Sequence, residues 1–296
     1  VVGFAIVVGW VLGRIDLLGP HGRHVLGRLT FFVLSPFLLF VVLAQADVRT
    51  LFSALLPVSA IAAVGVILIY ALVARLWWRR GTGEVLIGAL ASGQVNSNNI
   101  GIPLSLYLLG SAAYPAPVIL MQLVVLTPIA MAIFEAVSTG QRRAWPILRR
   151  TVTNPIVVGS VLGVVASISG IALPPIVWEP LVLLANACVP VLLISYGMSL
   201  HGQRILGTAG RRQDVIVASA LKLVVMPMTA WAVATFVFAL SPGDVLIVTV
   251  LAALPTAQNV FNYAQRFDIG EQIARDTVFI TTVGCVPVLL LITWLL

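Results

Sequence analysis

Charge is scarce in this chain, and so are cysteine and every common signature of catalysis. Only 9% of its 296 residues are charged, against about a quarter in an ordinary globular domain, which excludes a domain with a fully solvated surface. The two cysteines, Cys188 and Cys285, both lie in apolar runs and read as small core residues rather than a disulfide. There is no His-Glu-x-x-His, no Gly-x-Ser-x-Gly and no phosphate-cradling Gly-Lys loop, so neither catalysis nor ATP drive is indicated. None of the ten Asp and Glu residues falls in the middle of an apolar run, Glu135 being the nearest. A proton pump or sodium/proton exchanger generally carries its ion on such a carboxylate. His21, His24 and His201 sit in polar connections, which argues against a metal site. The first apolar run lacks a cationic stretch ahead of it and meets its first charge only at Arg14. It reads as a membrane helix and not a signal peptide. The chain begins at Val1 without Met, which leaves room for a few residues before it.

What the chain has instead is hydrophobic length. Sixty per cent of it is apolar and its mean hydropathy is +1.09. Runs of about 20 apolar residues, enough to cross roughly 30 Å of hydrocarbon, recur between short polar stretches. The reading is an all-α polytopic membrane protein with ten spans, near 1–18, 25–46, 51–76, 84–109, 114–137, 152–170, 176–200, 215–240, 244–265 and 272–295. The cations support that count. Arg14, Arg23 and Arg28 flank the first connection, Arg75, Arg79 and Arg80 the third, and Arg142, Arg143, Arg149 and Arg150 the fifth. Arg204, Arg211 and Arg212 follow at the seventh, and Arg266 and Arg275 at the ninth. Fifteen of the 17 cations thus fall on alternate connections; Arg49 lies opposite and Lys222 inside a span. By the positive-inside rule the odd connections are cytoplasmic and both termini external. The pI near 10.2 is therefore a topology signal, and no nucleic-acid partner is expected.

The polar connector 138–151 divides the spans five and five, 1–137 against 152–296. Val8 to Gly13 resembles Val158 to Gly163, Pro36 answers Pro190, and Glu84 to Ile87 answers Asp244 to Ile247. At the last offset Asn98, Asn99 and Ile100 fall on Gln258, Asn259 and Val260. Five is odd, so the second copy enters the membrane from the other side: an inverted repeat, as secondary transporters use.

The fourth and ninth spans carry the site. The fourth holds Gln94, Asn96, Ser97, Asn98 and Asn99, then Gly101 and Pro103; the ninth holds Pro255, Gln258 and Asn259. A polar, Gly/Pro-broken backbone is tolerated in a bilayer only where protein or a wet cavity satisfies it. Asn96 lies about 18 Å along from Glu84 and Pro255 about 16 Å from Asp244 at the helical rise, both near mid-bilayer. Broken helices 4 and 9 are expected to meet and cross there, with Gly101, Pro103 and Pro255 supporting the breaks. Asn96, Ser97, Asn98, Asn99, Gln258 and Asn259 then bind a solute, or else they glue helices together as membrane amides often do. Lys222, the sole lysine, lies about 12 Å into the eighth span at the helical rise. It either pairs with a substrate carboxylate, fills an ion site by offering its charge to helix C-termini, or snorkels to the interface. Gln122 in the fifth span is a lining candidate or core glue.

These residues carry a resemblance. Asn96 followed by Gly101, Ile102 and Pro103 resembles the Asn…Gly-Ile-Pro element of the auxin efflux carrier family, and so do Ala253 to Pro255 with Phe261 to Ala264. Lys222 and Leu223 ahead of Pro227 are similar to that family's basic residue and proline in the eighth span, and 277–287 resembles its last helix. The likeness covers nearly the whole chain. It implies a ten-helix inverted-repeat fold related to bacterial bile-acid transporters, in which spans 1, 2, 6 and 7 form a scaffold, often dimeric. Spans 3–5 and 8–10 would form a transport domain moving in an elevator-like manner. It also implies small organic anions as substrates, auxin in plants and carboxylates such as malate or malonate in bacteria. The lack of a long hydrophilic central loop resembles the bacterial members, hence an inner-membrane location. Plant members tend to carry Pro before the fourth-span Asn, where this chain has Val95. No cofactor is expected, and a coupling ion, proton or sodium, stays open. The rival readings are a membrane-embedded sensor that binds the same solute without moving it, and a channel.

Overall fold

The structure is a computed structural model that describes residues 2–19, 21–45, 55–111, 114–140, 145, 149, 152–170, 173–202 and 204–296. Arg49, Arg142, Arg143 and Arg150 of the cation pattern lie outside the described residues. In chain order the helices are α1 (Val2–Arg14), α2 (Gly22–Gln45), α3 (Leu55–Leu76), α4 (Thr82–Gly93), α5 (97–109), α6 (Ala116–Thr139) and α7 (Pro155–Ser169). Then come α8 (Pro175–Leu200), α9 (Arg212–Val237), α10 (Pro242–Ala253), α11 (Gln258–Phe267) and α12 (Glu271–Leu295). Among the described residues, six of these (α2, α3, α6, α8, α9 and α12) are long and apolar enough to cross a membrane. The expected fourth and ninth spans are each split in two, and α1 and α7 are shorter apolar helices. Large apolar side chains face outward along α12, including Val283, Val286, Leu290, Leu291 and Trp294, an arrangement that lipid accepts and water does not.

Proline shapes these helices. A residue without an N–H, whose ring crowds the carbonyl four residues back, removes a helical hydrogen bond, and the preceding turn can widen to relieve the clash. Among the described residues four π-helical turns, Thr30–Leu34, Ser97–Gly101, Gln122–Leu126 and Leu221–Val225, lie just ahead of Pro36, Pro103, Pro128 and Pro227; a fifth, Val233–Val237, has no such proline, and Pro180, Pro190 and Pro287 sit in regular α-helix.

The chain forms two compact units. The first comprises Val1–Arg49, Gln122–Arg204 and Gln265–Asp268. Here α1 packs on α8, and α7 on the second half of α2. The glycines of the matched sequence pair make both contacts possible: a Cβ at Gly9 would fall 2.2 Å from the Ile194 carbonyl oxygen, and one at Gly159 2.4 Å from that of Pro36. Small residues let membrane helices approach backbone to backbone.

The second unit comprises Thr50–Met121, Ile205–Ala264 and Ile269–Leu296. Its α3 packs on α4, α9 on α10 and α3, and α12 on α9 and α10. Charged groups cap one end. Asp214, fully buried, accepts from Arg80 Nη2 at 2.7 Å and Nε at 3.0 Å, and from the Tyr70 hydroxyl at 3.4 Å. The Asp214 hydrogen bond pushes the Arg80 guanidinium still further up from its ordinary range. Arg211 pairs with Glu84, and Asp276 accepts from the Leu206 N–H at 2.9 Å and from Arg275 Nε at 2.7 Å. The structure corrects one placement here. Arg275 sits inside α12, buried beside Asp276, not in the open connection, because that carboxylate lets a cation enter the helix.

Candidate functional site

Both breaks lie in the second unit, and they meet. Helix α4 ends at Gly93, and Gln94 turns to extended backbone at φ −78°, ψ 133°. Helix α10 ends at Ala253, and Leu254 does the same at φ −57°, ψ 150°. Pro255 cannot donate to a continuing helix. The two extended stretches then pair as an isolated antiparallel bridge between Val95 and Thr256. The Asn96 N–H donates to the Pro255 carbonyl at 2.9 Å, and the Ala257 N–H to that of Gln94 at 3.1 Å. Each break thereby satisfies part of the other's backbone, which a bilayer demands. Beyond the bridge the chain recoils. Ile100 and Gly101 donate to the Asn96 carbonyl, opening α5, and Val260 donates to Ala257, opening α11. A Cβ at Gly101 would stand 2.9 Å from Leu254 Cδ1, so the start of α5 lies close against the second break.

The carbonyl ends of α4 and α10 are closed by different groups. The Thr256 hydroxyl donates to Ala91 O at 2.6 Å. Lys222 Nζ donates to Ala252 O at 2.7 Å and to Met226 Sδ at 3.1 Å. Lys222 has no exposed surface and sits in the widened turn Leu221–Val225, so it does not snorkel. It places a cation at the negative end of a helix, where the macrodipole favours one. Helix α12 braces the junction: Thr281 Oγ1 accepts from the Thr256 N–H at 3.1 Å and donates to Thr277 O at 2.7 Å.

Of the residues expected from the sequence, Asn96, Ser97 and Gln258 are buried at the junction. Asn259 is half-buried on the first turn of α11. Asn98 and Asn99 have their backbone in the π-helical turn of α5, and Pro103 is the second residue of its α-helical part; the side chains of these three lie outside the described residues. Gln122 is buried, at the start of the first unit's second segment. Sequence reasoning singled out Gln94 without giving it a role, and missed Thr256, Asn262, Thr277 and Thr281. Gln94 Nε2, Ser97 Oγ, Thr277 Oγ1 and both amide atoms of Asn262 are buried with no hydrogen-bond partner. Leaving such atoms unmet costs about 1–3 kcal/mol each in a protein interior. A signal for Asn262 was present: Gln258, Asn262 and Gln265 recur at helical spacing and put a polar face on an otherwise apolar chain.

Paired helix breaks with buried, unmet polar groups inside an all-helical membrane protein define a membrane transporter, and the comparisons agree. The profile of the family described as membrane transport protein matches residues 1–145 and 142–293. The chain belongs to that family, the auxin efflux carriers its motifs resemble, and is a transport protein rather than an enzyme. A protein of Rhizobium meliloti (strain 1021) named "Putative malonate transporter" is 26% identical over 288 residues, covering 94% of this chain and 88% of that protein.

Proposed function

We propose that the chain is a secondary carrier of a small organic anion bearing a carboxylate, working by alternating access at the junction of the two broken helices. The observation that carries this reading is the bridge between Val95 and Thr256, with Gln94 and Ser97 on either side of Val95 carrying buried polar atoms that the protein itself does not satisfy. A solute with oxygen acceptors meets the Ser97, Gln94 and Asn262 donors, and Asn96, Asn98, Asn99, Gln258 and Asn259 complete the set. Lys222 supplies positive charge while holding the carbonyl end of α10, where a coupling cation would otherwise sit. Malonate is the first substrate to test, since the related Rhizobium protein is named for it. The ten spans form a five-plus-five inverted repeat with both termini external in a bacterial inner membrane, and the carrier works as a homodimer. The matched glycines Gly9 and Gly159, each seating a first helix of one repeat on a second helix of the other, support the repeat. In an elevator-like cycle the unit holding both breaks is the moving body.

The test is uptake of radiolabelled malonate, malate and auxin into proteoliposomes, wild type against Asn96→Ala and Lys222→Ala. Saturable flux of at least one acid, lost in both variants, supports the reading. Variants that match wild type on a transported acid refute the site. Binding without flux makes the protein a sensor, and non-saturating flux makes it a channel.

A further inference from the structure

The first unit holds a polar cavity. It measures about 200 Å³ and is lined by His24, Gly27, Arg28, Gln265 and Arg266. Three of these five are basic side chains. Among the described residues none of the three has a carboxylate partner. Arg266 is nonetheless held in place, its guanidinium 4.7 Å from the Phe32 ring centre and 5.6 Å from those of Phe31 and Phe267. Phe267 in turn stacks on Phe134 at 4.9 Å. Arg28 lies 5.8 Å from the same Phe32 ring. Both guanidiniums are exposed and converge on one ring, so a single anion can reach the two at once. Gln265 points the same way: both its amide atoms are shut from solvent without a partner. A Cβ at Gly27 would fall 2.7 Å from Gln265 Oε1, so the glycine keeps the space in which that amide lies. Both lining segments adjoin connections that the cation pattern places on the cytoplasmic face. Beside the cavity Val25, Leu29, Phe32 and Val33 are exposed along one stripe of α2, an apolar face at helical spacing.

We infer that this cavity binds the phosphate of an anionic glycerophospholipid of the cytoplasmic leaflet, with the acyl chains lying along the exposed α2 stripe. Guanidinium forks match phosphate oxygens, the Gln265 Nε2 donates to them, and its Oε1 accepts from a glycerol hydroxyl. Phosphate fits better than a free carboxylate because the apolar stripe continues from the basic cavity, as a lipid does from its headgroup.

The probe is the thermal midpoint of delipidated protein in detergent, titrated with phosphatidylglycerol, phosphatidylcholine of the same chains, or inorganic phosphate. Wild type is expected to be stabilised by phosphatidylglycerol far more than by the other two. Arg28→Gln/Arg266→Gln should raise the half-saturating lipid concentration by about tenfold or more, two juxtamembrane cations being removed, and Gln265→Leu by a smaller factor. Arg149→Gln, which removes an exposed cation elsewhere, should leave the titration unchanged. If the double variant does not fold, Gln265→Leu with native mass spectrometry of bound lipid decides. Equal response of wild type and site variants overturns the proposal. So does full stabilisation by inorganic phosphate, which would make the ligand a soluble ion.

Discussion

The two helix breaks repeat one design with one difference. In the first, the carbonyl end of α4 is closed by a neutral hydroxyl, Thr256 on Ala91. In the second, the carbonyl end of α10 is closed by a buried ammonium, Lys222 on Ala252. The approach helices differ as well. At the offset that aligns Glu84 with Asp244, Gly88 corresponds to Val248. A Cβ at Gly88 would lie 2.1 Å from the Tyr70 ring, whereas Val248 is packed without exposure. The two breaks thus share a design while their approach helices differ. The first seats a tyrosine whose hydroxyl reaches Asp214 in the polar cap; the second holds the charge. An inverted repeat with identical halves would place two like charges close together in low dielectric, at steep cost.

Making the halves alike should therefore hurt, and the largest effect is expected from Gly88→Val. Its side chain enters the Tyr70 ring and cannot be relieved by a flexible chain end. Overpacking of this kind costs about 1–3 kcal/mol, and this case belongs at the upper end. The check is the thermal midpoint in detergent, and a fall no larger than that of a surface change would show that the two approach helices are interchangeable. Lys222→Met, similar in length, is next. Transport is expected to fall by about 30-fold, equivalent to about 2 kcal/mol, while the thermal midpoint does not fall in step, because burying an unpaired charge is itself costly. A stability loss that accounts for the lost flux would demote Lys222 to a structural pin. Asn262→Leu should lower uptake by about fivefold, near 1 kcal/mol. It should also leave stability unchanged or improved, since no protein partner is lost and two unmet atoms disappear; a clear drop in midpoint would show that the amide is met. Thr256→Val should have the smallest effect, about 1 kcal/mol of stability from one hydrogen bond, with substrate affinity nearly kept. Flux as low as in Lys222→Met would erase the distinction between the two closures.

Some of the site was legible because it violates the rules of its solvent. Asn96, Ser97, Gln258 and Pro255 stand out in an apolar run, and the breaks they predict are where the helices end. Thr256 and Thr281 were not legible. A threonine in a membrane helix usually bonds its own preceding turn, and nothing local says that Thr256 instead reaches Ala91. The fate of Arg275 was hidden for the same reason, since Asp276 beside it looked like any other charge at a helix start.

Taken alone, the sequence determined the solvent, the alternation of cations and the two places where helix cannot continue, because hydropathy, charge and missing N–H groups act over a few residues. Tertiary structure decided which backbone groups the breaks give to each other, that Lys222 turns inward to Ala252, and which polar atoms are left unmet. Those outcomes depend on registering segments far apart in the chain. Once water is absent, every polar group must choose among distant partners, and only the packed fold fixes that choice.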